Sequence, residues 1–425
     1  MGFAEGYLQK HVTRQRLIAE DPDPELNLIV IIPCYNESGL LRSLDSLFLC
    51  DTTGLKAEII IFINASESSS EAVLNQNMET RDQTISWIEN HPHNSLRFHL
   101  LVDNSLPGKQ AGVGLARKIV MDEAVGRFNL LNHPDGIILS FDADALVEPD
   151  YLTSVHTHFK QNPESDGCSI YFEHPVEGNE FTEQVYNAVS QYELHLRYYV
   201  WASRYTGYPF VFHTVGSSFA VKALTYCQHG GMNKRKAGED FYFIQKITQN
   251  GRFSNCTTTC VSPSPRPSDR VPFGTGIAIS KMLSGSGQPL KTYNPESFFM
   301  LTKFFKMMES QNWVSGFNME TSELHPVLMQ YLMEVNFQAA LLEIRTNSAS
   351  PETFMKRFWR YFNMFRILKF VHFARDRGVE DLAVTVAAGM LLRKLHNKFN
   401  DSDDLMELLA IYRKLDRGLI SDPLQ

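Results

Sequence analysis

Four acids crowd the stretch SFDADALVEPDYL at 140–152: Asp142, Asp144, Glu148 and Asp150. Like charges repel, so such a cluster either takes a counter-ion or is a solvated loop. The apolar run before it reads as a buried strand, and at a strand end residues two apart point the same way. Asp142 and Asp144 can therefore offer oxygens to one divalent cation. Hard oxygen ligands suit Mg2+ or Mn2+, and Mg2+ commonly takes one or two carboxylates and completes its shell with water and substrate phosphates. A solvated loop or helix cap is the alternative for an Asp-x-Asp taken alone. Glu148 and Asp150 flank Pro149 and read as a helix start.

Cations suited to phosphate stand elsewhere in the chain. Lys109 follows Gly108 near a predicted helix start, where a phosphate can meet it as a point charge. Arg117 lies eight residues on, about two helical turns, which would place both on one face; a surface salt bridge is its alternative role. Arg266 and Arg270 fall in PSPRPSDRVPFGTG, a loop rich in Pro and Gly. The arginine fork suits phosphate, and a loop closing over a ligand can deliver it to a leaving diphosphate.

The elements that must position these groups alternate. LNLIVIIP, AEIIIFIN, SLRFHLLVD and DGIILSFDAD read as strands, and the helix-like SGLLRSLDSLFLC and GKQAGVGLARKIVMDEAV lie between them. Such spacing implies βαβ units and a mostly parallel sheet, in which ligands bind beyond the carboxyl ends of the strands. PCYNE, FINAS and FDADA all begin at such ends. Strand candidates follow in GCSIYFEHP and PFVFHTVGSSFAV, with a long helix around 180–204 and another opening at GEDFYFIQKITQNG. The expected organisation is an N-terminal extension over 1–26, an α/β domain over 27–290 and a helical domain over 295–425, where Phe, Met and Leu recur at helical spacing.

Composition bounds the function. The 425 residues are 43% apolar and 21% charged, with a net charge of −8 and a pI near 6. That balance argues against a nucleic-acid partner, which calls for a basic surface. Cys34, Cys50, Cys168, Cys227, Cys256 and Cys260 are scattered, with no second close pair to complete a zinc site. The N-terminus lacks the apolar core of a signal peptide, and no apolar run approaches the roughly 20 residues of a membrane span. A reduced, cytoplasmic protein is expected. The stretch 355–377 carries seven Lys or Arg against one Asp, so peripheral contact with anionic lipid at the inner face of a membrane is a second expectation, packing inside the helical domain being the alternative.

IVIIPCYNE, then FDAD about a hundred residues on, then GED another hundred on, resembles the family-two, GT-A-fold glycosyltransferases over about residues 27–280, of the soluble bacterial type. The resemblance implies a Rossmann-type sheet flanked by helices, a nucleotide-diphosphate sugar donor, UDP- or GDP-linked, and a divalent metal, Mn2+ or Mg2+, on Asp142 and Asp144. It implies a nucleotide cradle at Pro33, Tyr35, Asn36 and Glu37, where a ring offers a stacking face and a carboxylate accepts ribose hydroxyls. Asn64 then lies close to the base. Lys109, Arg117, Asp142, Arg266 and Arg270 fall on the donor side. In the pair Glu239–Asp240 the aspartate takes the acceptor hydroxyl's proton, and Gly216, Ser217 and His213 face an acceptor that is a glycan, a lipid-linked compound or a small molecule. The sequence departs from the family at two places. No His occurs between 230 and 324 to complete the metal shell, leaving Asp269, a water or nothing, and the Gln-x-x-Arg-Trp signature of processive polymerases is absent. Inverting, non-processive transfer follows as the expectation. A non-catalytic sugar-nucleotide-binding or scaffold protein of the same fold is the alternative. A nucleotidyltransferase is set aside because PCYNE stands where a Gly-rich phosphate loop belongs.

Overall fold

The computed structural model describes residues 2–12, 16–250, 252–271, 274–285, 288–310, 323–395 and 403–424. Two compact units divide the chain, Met1–Tyr186 with Thr214–Lys281, and Asn187–His213 with Met282–Gln425. Residues 187–213 thus fall with the helical part of the chain, which the expected organisation began at 295.

The first unit is built on one eight-stranded sheet. Its strands are β1 (Leu26–Cys34), β2 (Lys56–Ser66), β3 (Leu96–Leu106), β4 (Ile137–Ser140), β5 (Leu146–Val147), β6 (Gly167–Phe172), β7 (Phe219–Lys222) and β8 (Phe253–Ser262), in the order β3-β2-β1-β4-β7-β6-β8-β5. Near-continuous apolar runs form the centre because helices cover both faces: Leu28 through Ile32 and Ile59 through Ile61 are fully buried. Pairings of β1 with β2 and β4, β2 with β3, and β6 with β8 are parallel, and those of β7 with β4 and β6, and of β5 with β8, are antiparallel. The first half follows the sequence closely. The second does not: only 219–221 of the expected strand over PFVFHTVGSSFAV pair, and β8, whose Ser, Asn and Thr residues hide its strand character, is a strand the sequence pattern does not predict.

The helices of this unit are α1 (Glu5–His11), α2 (Leu40–Phe48), α3 (Glu71–Asn90), α4 (Val113–Leu130), α5 (Tyr151–Gln161), the start of α6 (Glu183–Tyr205), α7 (Ala223–Gln228), α8 (Glu239–Thr248) and most of α9 (Thr275–Ser284). Two registers aim the sheet at one edge. Parallel pairing sets Ile31 beside Ser140, so the chain leaves β1 and β4 at one level. Antiparallel pairing sets Phe219 beside Ser140, so the residues entering β7 arrive where β4 ends. Ser140 Oγ donates to the Gly216 carbonyl at 2.7 Å and fixes that meeting.

The second unit holds the rest of α6, then β9 (Lys291–Thr292), α10 (Pro295–Ser310), α11 (Pro326–Glu334), α12 (Phe337–Thr346), α13 (Pro351–Tyr361), α14 (Met364–Arg375), β10 (Leu382–Ala383), α15 (Val384–Leu395) and α16 (Leu405–Asp416). Its core is aromatic: Phe304, Phe305, Phe337, Phe358 and Phe362 are buried against one another. Phe358, Trp359, Phe370 and Phe373 of the basic stretch turn inward, and Lys356, Arg357, Arg360, Lys369, Arg375 and Arg377 remain exposed. Much of its apolar side is therefore occupied by packing, and six of its seven cations face outward.

Candidate active site

The site grows from the strand ends. After β1, Tyr35 is 36% exposed, and Asn36 adopts a left-handed conformation (φ 50°) in which its amide donates to Asn77 Oδ1 at 3.0 Å. Asn77, buried on α3, also donates to the Asn64 carbonyl (2.9 Å) and to Asn104 Oδ1 (3.1 Å). Thr80, one turn on, donates to the Glu37 carbonyl at 2.8 Å. These two α3 side chains set the turn through PCYNE, and the sequence reading passed them by because a lone Asn or Thr inside a helical pattern carries no signal. Asn64 reaches the same corner, its amide donating to the carbonyls of Cys34 (2.9 Å) and Phe62 (3.2 Å). Pro33 sits within β1, opposite Phe62 of β2.

Glu37 is 1% exposed and fully engaged. It accepts from the Gly39 amide (2.7 Å), from both arms of Arg266 and from Arg270 Nη1 (2.7 Å). Burial raises its pKa, but the Arg266 bonds, the Arg270 charge and the Gly39 amide outweigh burial and hold it below the ordinary value. The same arginines reach Asp144 at 3.4 and 3.3 Å, and Arg270 also donates to the carbonyls of Tyr35 and Asn36. Asp144 is pushed up to about 6, by burial first and then by Asp142 and Glu37, against the pull of Arg270 and Arg266.

Asp142 pairs with a third arginine. Its Oδ1 accepts from Arg117 Nη2 at 2.6 Å, and Arg117 Nη1 donates to Glu239 Oε1. Arg117 is 1% exposed, so these carboxylates are what sustain its charge inside the fold. It comes from α4, Asp142 from the end of β4 and Glu239 from the first turn of α8. One guanidinium thus joins the two acidic motifs. Burial, then Glu239 and Asp142, raise Asp240 to about 7, with Arg117 pulling it down. Glu239 is raised by burial and Asp142 against the same arginine. A Cβ on Gly216 would meet Arg117 Nη2 at 2.9 Å and Asp240 Oδ2 at 3.1 Å, so a glycine is what lets this wall close.

The remaining expected residues scatter. Ser217 is buried, its hydroxyl 3.3 Å from that of Ser218. Lys109 is exposed in a turn closed by bonds from the Gln110 and Ala111 amides to the Pro107 carbonyl, ahead of α4. It therefore shares no helical face with Arg117, whose guanidinium is turned inward. His213 belongs to the second unit, where its Nε2 lies 2.9 Å from Asp416 Oδ2.

Glu37, Asp142, Asp144, Glu239 and Asp240 stand against Arg117, Arg266 and Arg270, leaving a formal charge of −2 when all are ionised. Among the described residues no three His, Cys, Asp or Glu side chains converge as metal ligands. The donor set suits a hard cation bound by one or two carboxylates and completed by phosphate and water, and the charge deficit leaves room for it.

Residues 29–215 match the model for glycosyl transferase family 2. The chain carries a family 2 glycosyl transferase domain. The matched region lies on the mostly parallel sheet with flanking helices described above. Among solved structures it is similar to TarS 1-349 from S. aureus, at 14% identity and a TM-score of 0.37, over 93% of this chain and 91% of that one. The same TarS fragment in complex with UDP-GlcNAc aligns at 15% identity and a TM-score of 0.37, with the same coverage. The mannosyltransferase PcManGT from Pyrobaculum calidifontis, in complex with GDP-Man and Mn2+, aligns at 16% and 0.33, over 97% of this chain and 92% of that one. No curated protein matches the sequence.

Proposed function

We propose that the family 2 domain moves a sugar from a nucleoside-diphosphate sugar, UDP- or GDP-linked, to an acceptor hydroxyl, with inversion and without processivity. The observation that carries this reading is the junction at Arg117, which joins an Asp-x-Asp at a strand end to a carboxylate pair opening a helix. Asp142 and Asp144 are the residues to hold Mn2+ or Mg2+, and such a cation, when bound, supplies charge that stabilises the leaving diphosphate. Arg266 and Arg270 stand beside Asp144 and can turn their forks to the same phosphates. Tyr35 offers the nucleotide an exposed ring beside the polar corner of Asn36, Asn64 and Asn77. Asp240 takes the proton of the acceptor hydroxyl, and one in-line displacement by that oxygen inverts the anomeric carbon. Among the described residues no helix is long and apolar enough to cross a membrane.

Titration calorimetry with UDP-GlcNAc and GDP-mannose, each with and without Mn2+, tests the reading. Binding that needs the cation and is lost in Asp144→Ala is expected; no binding of either nucleotide under any condition overturns it. One observation favours a non-catalytic binder of the same fold: Asp142 and Asp144 already have arginine partners. Donor turnover separates the two, because Asp240→Asn is expected to keep nucleotide affinity and lose roughly two to four orders of magnitude in kcat. No turnover by either protein would leave the binder, and equal turnover by both would move the base away from Asp240.

A further inference from the structure

The segment leading into the proposed base is the most basic exposed run of the first unit. Lys234, Arg235 and Lys236 are consecutive and exposed, and Glu239 and Asp240 follow within four residues. Among the described residues none of the three forms an ion pair with a carboxylate, nor does Lys109. In a chain of net charge −8, three uncompensated cations in a row lead directly into the proposed reacting centre.

This segment is held in place. Asn233 Nδ2 donates to the Glu239 carbonyl at 2.9 Å, tying the run back to the start of α8. Arg235 lies over the Tyr242 ring, 3.6 Å from its centroid, a cation–π contact that fixes the guanidinium while leaving its edges able to donate. Lys236 Nζ donates to the Gly108 carbonyl at 3.2 Å, with two further N–H groups to give, and Gly108 itself donates to Glu67. The run passes so close to the first turn of α4 that side chains there would block it. A Cβ on Gly114 would lie 2.2 Å from the Arg235 carbonyl, and one on Gly112 would lie 2.9 Å from Lys236 Cα. Two glycines thus hold open the seat of a cationic strip whose continuation is the carboxylate pair.

A nucleotide-sugar donor has its own cations at the other end of the acidic cluster, Arg266 and Arg270 beside Glu37 and Asp144. The 234–236 strip answers a second anion. We infer that the acceptor is anionic, carrying a phosphate or carboxylate near the hydroxyl that Asp240 deprotonates, and that Lys234, Arg235 and Lys236 hold that group. This rests on the glycosyl-transfer reading and names its acceptor class. Charge attraction of this kind sets encounter and orientation, and salt weakens it over a Debye length of about 8 Å at physiological strength.

Saturation-transfer NMR with glucose, glucose 6-phosphate and glucuronate as probes tests the inference, on the full chain with and without UDP and Mn2+. Wild type is expected to hold one of the charged sugars about tenfold or more tighter than glucose at low salt, the preference shrinking as salt rises. Whether the phosphate or the carboxylate probe wins identifies the group. Lys234→Gln/Arg235→Gln/Lys236→Gln is expected to lose the preference while keeping its UDP affinity within about twofold. The single charge reversal Lys234→Glu, at an exposed side chain, serves if the triple variant melts early. Equal affinity for the three sugars overturns the inference, as does a variant that loses UDP, since the strip would then serve the donor. A wild type that binds no nucleotide yet keeps the charge-dependent preference would sink the transfer reading and leave the anion site standing.

Discussion

At the scale of single residues, the site turns on how burial divides work among neighbouring acids. Asp240 stands near 7 because burial, Glu239 and Asp142 disfavour its charge more than Arg117 favours it. A base must be ionised to accept a proton, so kcat/KM is expected to rise with pH through about 7 and to fall on the acid side as Asp240 becomes protonated. Glu239→Gln removes a charge that raises Asp240, so the acid limb should move to lower pH. A pH profile of kcat/KM for both proteins reads the sign directly, and a limb that stays put or moves up would assign the proton elsewhere. Glu37 makes the complementary case. Its sequence context suggested a ribose ligand, yet all the groups it meets are donors of this chain: Gly39, Arg266 and Arg270. Nothing in the local pattern of PCYNE foretells a partner more than 225 residues away, because a carboxylate's counter-ion is chosen by the folded path of a loop.

At the scale of elements, pairing direction matters more than strand content. β1, β2 and β4 were legible because buried parallel strands read as unbroken apolar runs, and the motifs at their ends were legible because the chain must leave such strands at one edge. β7 and β8 were not. They belong to the mixed half of the sheet, where short or Thr-rich strands lack both the run and the clear alternation. That half nevertheless decides the site, since antiparallel β4–β7 pairing delivers Gly216 against Arg117 and Asp240. Gly216→Ala would place a methyl about 3 Å from both groups, and overpacking of this kind costs about 1–3 kcal/mol. The expected result is a lower melting temperature and at least a tenfold loss of kcat, with UDP or GDP affinity retained because the corner proposed for the nucleotide lies at the ends of β1 and β2. An alanine variant with wild-type kcat would mean that the wall has room to move. Lys109 and Arg117 show the same limit on local reading: eight residues predicted one face only while both were assigned to one helix, and the Pro107 turn ends that assumption.

At the scale of the whole chain, the division into units follows contacts that composition does not reveal. Most of α6 lies early in the sequence yet belongs with the C-terminal helices, and a buried ionic cluster within the second unit shows why. Asp416 at the end of α16 accepts from Arg197 and from Trp201 Nε1 (2.7 Å) on α6, and from His213 Nε2 (2.9 Å) just beyond it. Arg413 donates to Glu193 at 2.7 Å, and Glu193 also pairs with Arg197 at 2.8 Å. Burial raises the pKa of Asp416, but the charge and bond of His213 and the charges of Arg197 and Arg204 overcome it and hold the group far below the ordinary carboxylate range. The sign of the linkage follows from that depression. The stabilisation is complete above the unfolded pKa of about 4 and is lost as pH falls through the depressed folded value, so mild acid should leave the second unit intact. Asp416→Ala removes the shared counter-charge while the cations stay buried, a change that costs about 3–5 kcal/mol. Urea titration of the variant at neutral pH should show that loss, and the deficit against wild type should narrow only in strong acid, where Asp416 itself becomes protonated. A deficit that closed near pH 5 would mean that Asp416 titrates as an ordinary surface acid and that the cluster does not bind α16 to α6.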